Sequence, residues 1–192
     1  MKRTLWLFEK IPLSIRWIIE TVEKAGYEIS MVGGAVRDML LAGGYEKSKK
    51  DFDFDFATSA TPQEIMRLFS HTKHPENKEH FIVPTGIKHG TVTLIIREPV
   101  ESFEITTYRI DEEYKDGRRP ESVIFVRSLH EDLARRDFTI NAMAYHPLKG
   151  ELIDPFGGEE DIRRRLIRCV GDPLVRFLED GLRPMRACRL SA

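Results

Sequence analysis

The chain has 192 residues, 41% of them hydrophobic, with 30 basic against 31 acidic side chains and a formal net charge of −1. That length buries a substantial core in one domain, or in one domain plus part of another, while the near-neutral charge excludes the global basic footprint of proteins that grip long stretches of nucleic acid. The sequence holds no apolar run of bilayer length and no basic, apolar leader, and its two cysteines, Cys169 and Cys188, lack paired zinc-site spacing, so a soluble cytoplasmic protein with reduced thiols is expected.

Ile15, Ile18, Ile19 and Val22 recur at helical spacing, and Ala25-Gly26 ends the run, which predicts an amphipathic helix over residues 13–24. Residues 28–32 (EISMV) predict a short strand that runs into Gly33-Gly34, after which 35–41 (AVRDMLL) resume helical character. Residues 51–56 (DFDFDF) alternate strictly and predict a strand with one acidic and one aromatic face. Thr61, Pro62 and Glu64 open a helix over 62–69 as an N-cap, a proline at the first helical position and a capping-box partner. Two β-rich runs, 91–97 and 102–109, flank Pro99 and predict a hairpin; 110–120 is polar, with Gly117 and Pro120, and reads as a mobile loop. A helix near 129–134, the segment 135–145, a turn at 154–158 (DPFGG) and one final helix from about Pro173 to the last residue complete the chain.

Two of these features carry chemistry together. In a strand, Asp51, Asp53 and Asp55 fall on one side and Phe52, Phe54 and Phe56 on the other. Like charges that close repel unless solvent or a cation relieves them, and a hard divalent ion prefers one or two carboxylates beside substrate phosphates. Taken alone, the run also reads as an edge strand with a solvated acidic face. Gly33-Gly34, at the junction of a strand and a helix, gives a triphosphate close access to backbone amides, and Arg37 follows one turn later as a phosphate partner. A phosphate cradle followed by metal carboxylates is a coherent set for nucleotidyl transfer.

With those segments the sequence resembles the class II tRNA nucleotidyltransferase and bacterial poly(A) polymerase family, within the DNA polymerase β-like superfamily. The resemblance rests on MVGGAVRDMLL (31–41), DFDFATSATPQEI (53–65), HGTVTL (89–94), EITTYR (104–109), RRPESV (118–123), ARRDFTINAMAY (134–145), DPFGG (154–158) and EDGLRPMRACR (179–189). It implies an α+β fold: a mixed β-sheet nucleotidyltransferase head flanked by helices over residues 1–150, with the start of a helical, nucleotide-recognising neck over 151–192. It implies Asp53 and Asp55 as holders of Mg²⁺, and Gly33, Gly34, Arg37 and Arg136 as triphosphate contacts. Asp180, Arg183, Arg186 and Arg189 would build the nucleotide pocket. The implied reaction adds C, A or both, from CTP and ATP, to a tRNA 3′ end with release of pyrophosphate, the tRNA being held mostly by regions outside this chain. Poly(A) synthesis on other RNA ends, and transfer to a non-RNA acceptor, are the alternatives.

Cytosine and adenine present an amino donor beside a ring-nitrogen acceptor, whereas uracil and guanine present the reverse. An Asp that only accepts and an Arg that only donates therefore match C and A. If 180–189 lie on one helix, Asp180 and Arg183 are neighbours and Arg189 has rotated away, so base reading falls to the first two and phosphate or structural work to Arg186 and Arg189. A surface ion pair is the plain alternative. Pro184 is expected to bend that helix. Glu104 reads either as a third active-site carboxylate or as a solvent-facing strand residue, and Asp51 as a loop residue before a third ligand. Asp137 and Asn141 read as loop holders through backbone hydrogen bonds. His71, His74, His80 and His89 lack metal-ligand spacing and are assigned no chemistry.

Overall fold

The computed structural model describes residues 10–44, 53–112 and 121–191. Asp51, Phe52 and the stretch 113–120 of the expected mobile loop lie outside the described residues. Helix α1 (Leu13–Lys24) forms as the periodicity predicts, with Ile15, Ile18, Ile19 and Val22 buried on one face. Strand β1 (Ile29–Val32) leads through Gly33 into α2 (Gly34–Ala42), and β2 (Asp55–Thr58) follows. Helix α3 (Pro62–His71) starts with the capping box between Thr61 and Glu64. Then come β3 (His80–Gly86), β4 (Thr91–Ile96), β5 (Glu101–Thr107), β6 (Arg109–Asp111), β7 (Val123–Phe125) and α4 (Leu129–Ala134). The chain continues through β8 (Ala144–His146), β9 (Glu151–Ile153), α5 (Gly158–Arg164), α6 (Pro173–Glu179) and α7 (Arg183–Ser191).

Seven strands form one sheet in the order β3-β4-β5-β2-β1-β8-β9, and β6 pairs with β7 in a separate ribbon. The sheet is mixed: β2 and β5 run parallel, and the other paired neighbours antiparallel. Alternation along each strand then decides what each face does. Met31, Phe56, Phe103, Ile105 and Tyr145 enter the main core with α1, α2 and α3. Their alternates Val32, Asp55, Ala57, Glu104 and Ala144 must face the other side, where Tyr108 and Leu133 add a smaller cluster. No helix among the described residues is long and apolar enough to cross a membrane.

Four expectations need correction. The acidic run does not form a strand throughout: β2 begins at Asp55, and Asp53 precedes it. The cause lies in the neighbour, because β1 pairs Val32 with Asp55 and then leaves the sheet at Gly33, so that earlier residues lose that partner. The final helix is two helices, broken where Asp180 adopts extended angles (φ −142°, ψ 105°) and its carboxylate accepts from the Leu182 amide at 2.9 Å. An Asp-Gly pair offers the backbone this local turn in place of helical bonds. Pro184 consequently sits in the first turn of α7, where a missing N–H costs nothing, and it bends no helix. The 102–109 run also divides, with Tyr108 standing between β5 and β6.

Candidate active site

A cleft of about 1070 Å³ opens on the polar side of the sheet, and all ten residues singled out from the sequence line it: Gly33, Gly34, Arg37, Asp53, Asp55, Arg136, Asp180, Arg183, Arg186 and Arg189. Its centre is acidic. The parallel register pairs Asp55 with Glu104, so the core-facing Phe56 on one strand and the core-facing Phe103 and Ile105 on the other leave both carboxylates in the cleft. Burial, then the charge of Glu104, then that of Asp53 push the Asp55 carboxyl up to about 6, with Arg136 pulling the other way. A site that disfavours its own negative charge is suited to a cation. Among the described residues no three Asp, Glu, His or Cys side chains form a ready metal cage.

Next to the carboxylates, Gly33 is the N-cap of α2 at φ 73° and ψ −139°, a backbone state that favours glycine. A Cβ at Gly33 would lie 3.6 Å from Arg136 Nη1 and 3.8 Å from Asp55 Oδ2, filling the space between that guanidinium and that carboxylate. One turn into α2, Arg37 is held on both sides: Nε donates to Asp38 at 2.9 Å and Nη1 to Asn141 Oδ1 at 2.7 Å. Asn141 in turn donates to Asp137 at 3.1 Å. Asp137 does accept from a backbone amide, that of Phe138, yet Asn141 acts through side chains and aims an arginine.

Arg136 is aimed by a residue the sequence reading passed over. Asp132, fully buried in α4, accepts from Arg136 Nη2 at 3.1 Å, from Arg135 Nη2 at 2.9 Å and from the Arg109 amide at 3.3 Å. Burial raises the Asp132 carboxyl, but the adjacent Arg136 and Arg135 charges outweigh that and leave it below the ordinary value. Its positions three and four before the two arginines on a helical turn were the available signal.

The last wall is built from the α6–α7 break. Asp180 and Arg183 are both buried, at 4% and 5% exposure; the Arg183 amide donates to the Asp180 carbonyl at 3.0 Å, but their side chains take different partners. Arg183 donates to Glu179 at 2.6 Å and to the backbone carbonyl of Arg176 at 3.0 Å, whereas Asp180 is paired with Arg186. The Arg183 Nε is shielded and has no partner among the described residues. Arg186 also reaches Asp137 at 3.2 Å, which ties α7 to the segment carrying Arg136. Arg189 stands on the exposed side of α7 at the cleft's edge.

The sequence matches the poly A polymerase head domain over residues 29–168. It is 51% identical to the CCA-adding enzyme of Anoxybacillus flavithermus over 172 residues, which is 90% of this chain and 38% of that protein. The CCA-adding enzyme of Lactobacillus helveticus is 46% identical over 175 residues, 91% of this chain and 39% of its own length. Among solved structures, the Bacillus stearothermophilus CCA-adding enzyme in complex with CTP superimposes with a TM-score of 0.71 at 44% identity, covering 90% of this chain and 37% of that one. The Thermotoga maritima CCA-adding enzyme complexed with tRNA gives 0.68 at 28% identity, covering 95% and 38%. The chain thus spans about two fifths of the length of the relatives it matches.

Proposed function

The chain belongs to the poly A polymerase head-domain family, and on that premise we propose that it is the catalytic head of a template-independent RNA nucleotidyltransferase, acting in the cytoplasm and adding C, A or both to a tRNA 3′ end. The observation that carries this reading is the meeting, in one cleft, of Asp55, whose carboxyl is pushed up by burial and by its neighbour Glu104, with a glycine turn and two oriented arginines. In the proposed reaction the RNA 3′ oxygen bonds to the α-phosphorus of CTP or ATP, and the bond from that phosphorus to the departing oxygen breaks. The hydroxyl proton leaves to water and pyrophosphate departs.

Gly33, Gly34, Arg37 and Arg136 bind and orient the triphosphate, a task of positioning and charge neutralisation. Asp53 and Asp55, with Glu104 beside them, would hold Mg²⁺, which when bound lowers the pKa of an attacking hydroxyl and offsets phosphate charge. Asp180 accepts from the exocyclic amine of C or A. Arg183, in the wall of the same cleft, donates to the ring nitrogen. Arg186 and Arg189 serve phosphate or support the pocket. In this reading the head covers residues 1–150 and the neck 151–192, with β9 continuing the head's sheet past that line.

The test is incubation with tRNA lacking its 3′ end and each labelled NTP singly, for wild type, Asp180→Ala and Arg183→Ala. Wild type is expected to use C, A or both well above U and G, and each variant to lose roughly tenfold to a hundredfold of that discrimination. Variants that lose rate at wild-type ratios among the four NTPs overturn the base-reading pair. Equal use of all four NTPs by wild type overturns the proposed specificity. Extension of any RNA with A alone points to poly(A) synthesis, and turnover without RNA to a different acceptor.

A further inference from the structure

In a direct displacement at phosphorus, the attacking and leaving oxygens lie roughly in line on opposite sides of the reacting atom. Across the sheet, the triphosphate contacts sit on the β1 side of the carboxylates, at Gly33, Gly34 and Arg37. The opposite side runs from Asp55 on β2 to Glu104 on β5 and then to the start of β4. There the cleft wall is made by His89, Thr91, Thr106 and Arg109. The two threonines hydrogen-bond each other at 2.9 Å across β4 and β5, which leaves the histidine as the ring presented at that end.

His89 sits on a turn that the fold holds tightly. It ends a 3-10 segment, Ile87–His89, and Gly90 follows at φ 84°. A Cβ at Gly90 would come within 2.8 Å of the Phe125 ring and 3.4 Å of Thr107 Cβ, so β7 closes against the turn. The Gly90 carbonyl accepts from the Thr107 amide at 2.9 Å, and the His89 carbonyl accepts from Arg109 Nη1. The backbone on both sides of the imidazole is therefore committed. The ring is not: its Nδ1 is shielded and has no hydrogen-bond partner among the described residues, and its Nε2, which makes no hydrogen bond among them either, is the nitrogen left to meet a ligand. By contrast His80 and His146 each spend a ring nitrogen on a protein acceptor. A half-buried ring with no hydrogen bond among the described residues, on a braced turn in the cleft that holds Asp55 and Glu104, is placed to offer Nε2 to something outside the protein.

We infer that His89 contacts the 3′-terminal sugar–phosphate of the RNA acceptor, on the far side of the carboxylates from the triphosphate. The inference rests on the nucleotidyltransferase reading, and gives the acceptor a side chain of its own in the head. The ring can donate to a phosphate or 2′-hydroxyl oxygen, or accept from the 2′-hydroxyl, groups that every RNA end carries. It therefore confers grip on the terminal nucleotide without choosing the incoming base.

The experiment compares wild type, His89→Ala and His89→Gln, each checked for wild-type thermal unfolding, on tRNA ending one nucleotide short with ATP or CTP. Loss of one such hydrogen bond is expected to raise KM for the RNA roughly tenfold in His89→Ala while KM for the nucleotide stays within about twofold. The Gln variant, which keeps a donor and an acceptor, is expected to recover part of the loss. Independently of turnover, acylation of His89 by diethyl pyrocarbonate, followed by peptide mass, is expected to be blocked by the RNA and unaffected by ATP or CTP alone. An unchanged RNA KM in His89→Ala, or protection by nucleotide without RNA, overturns the inference while leaving the reaction in place. Failure of wild type to extend any RNA overturns the functional reading itself, and the acylation result then still decides whether His89 meets RNA.

Discussion

Asp55 shows how a single side chain can be at odds with the fold that holds it. Its folded carboxyl titrates near 6, against an ordinary value of 3.8, chiefly because it is buried and secondly because Glu104 and Asp53 are close. A raised carboxyl means that the folded state binds more protons than the unfolded one between those two values, so stability falls as pH rises through the window. Above it, the ionised Asp55 costs on the order of 3 kcal/mol of folding stability. Two outcomes are expected in thermal melts without divalent cations: wild type melts lower at pH 7.5 than at pH 5.5 relative to Asp55→Asn, and Asp55→Asn melts higher than wild type at pH 7.5. Added Mg²⁺ should stabilise wild type and leave the Asn variant unmoved, although that variant is expected to transfer no nucleotide. A wild type indifferent to both pH and Mg²⁺ would mean that Asp55 is relieved by something other than a cation.

At the scale of elements, what was legible was what is local. Helices α1 and α3 and the β1–glycine–α2 unit announce themselves through spacing and caps, and the β4–β5 hairpin through two β-rich runs around Pro99. Strand β3 does not, because it is largely exposed, contains Pro84 and lacks alternation, and β7 and β9 are three residues each. Helix α5 was hidden behind its turn, although its acidic first turn and Arg163 and Arg164 follow the helix dipole. In the site, residue types were readable and partners were not: Asp55 meets Glu104 through strand register, and Glu179 rather than Asp180 takes Arg183 because the helix breaks between them. Helix α5 also yields a test. A Cβ at Gly158 would sit 2.2 Å from the Thr139 carbonyl oxygen and 3.0 Å from Met143 Sδ, so this glycine lets α5 lie against the 3-10 turn Thr139–Asn141 that aims Arg37. Because the clash is with backbone, Gly158→Ala is expected to cost roughly 3 kcal/mol or more, read as a lowered urea midpoint, and the surviving folded fraction should show weakened NTP affinity.

The molecule as a whole carries a net charge of −1, with seven of its nineteen arginines lining the cleft. Phosphate contacts dominate RNA affinity and its salt dependence, so these 192 residues are expected to bind ATP or CTP with Mg²⁺ yet to bind tRNA more weakly than micromolar at physiological salt. Filter binding across a salt series checks this, and submicromolar affinity would mean that the chain holds a longer phosphate track than its cleft. The sheet that organises the cleft has one more consequence, and it concerns genetic change. Strand β2 is four residues long and carries Asp55 to the cleft and Phe56 to the core, matched residue by residue to β5. Sliding either strand by one residue exchanges the two faces, so loss of a single codon within β2 would bury the carboxylate and push the phenyl ring into the substrate's place. Substitutions at Ala57 or Thr58 change one side chain; a one-codon deletion there changes the meaning of every neighbour. A library of single-codon deletions should therefore show β2 and β5 as silent gaps among active clones, while the 97–100 turn between β4 and β5 tolerates the same lesion.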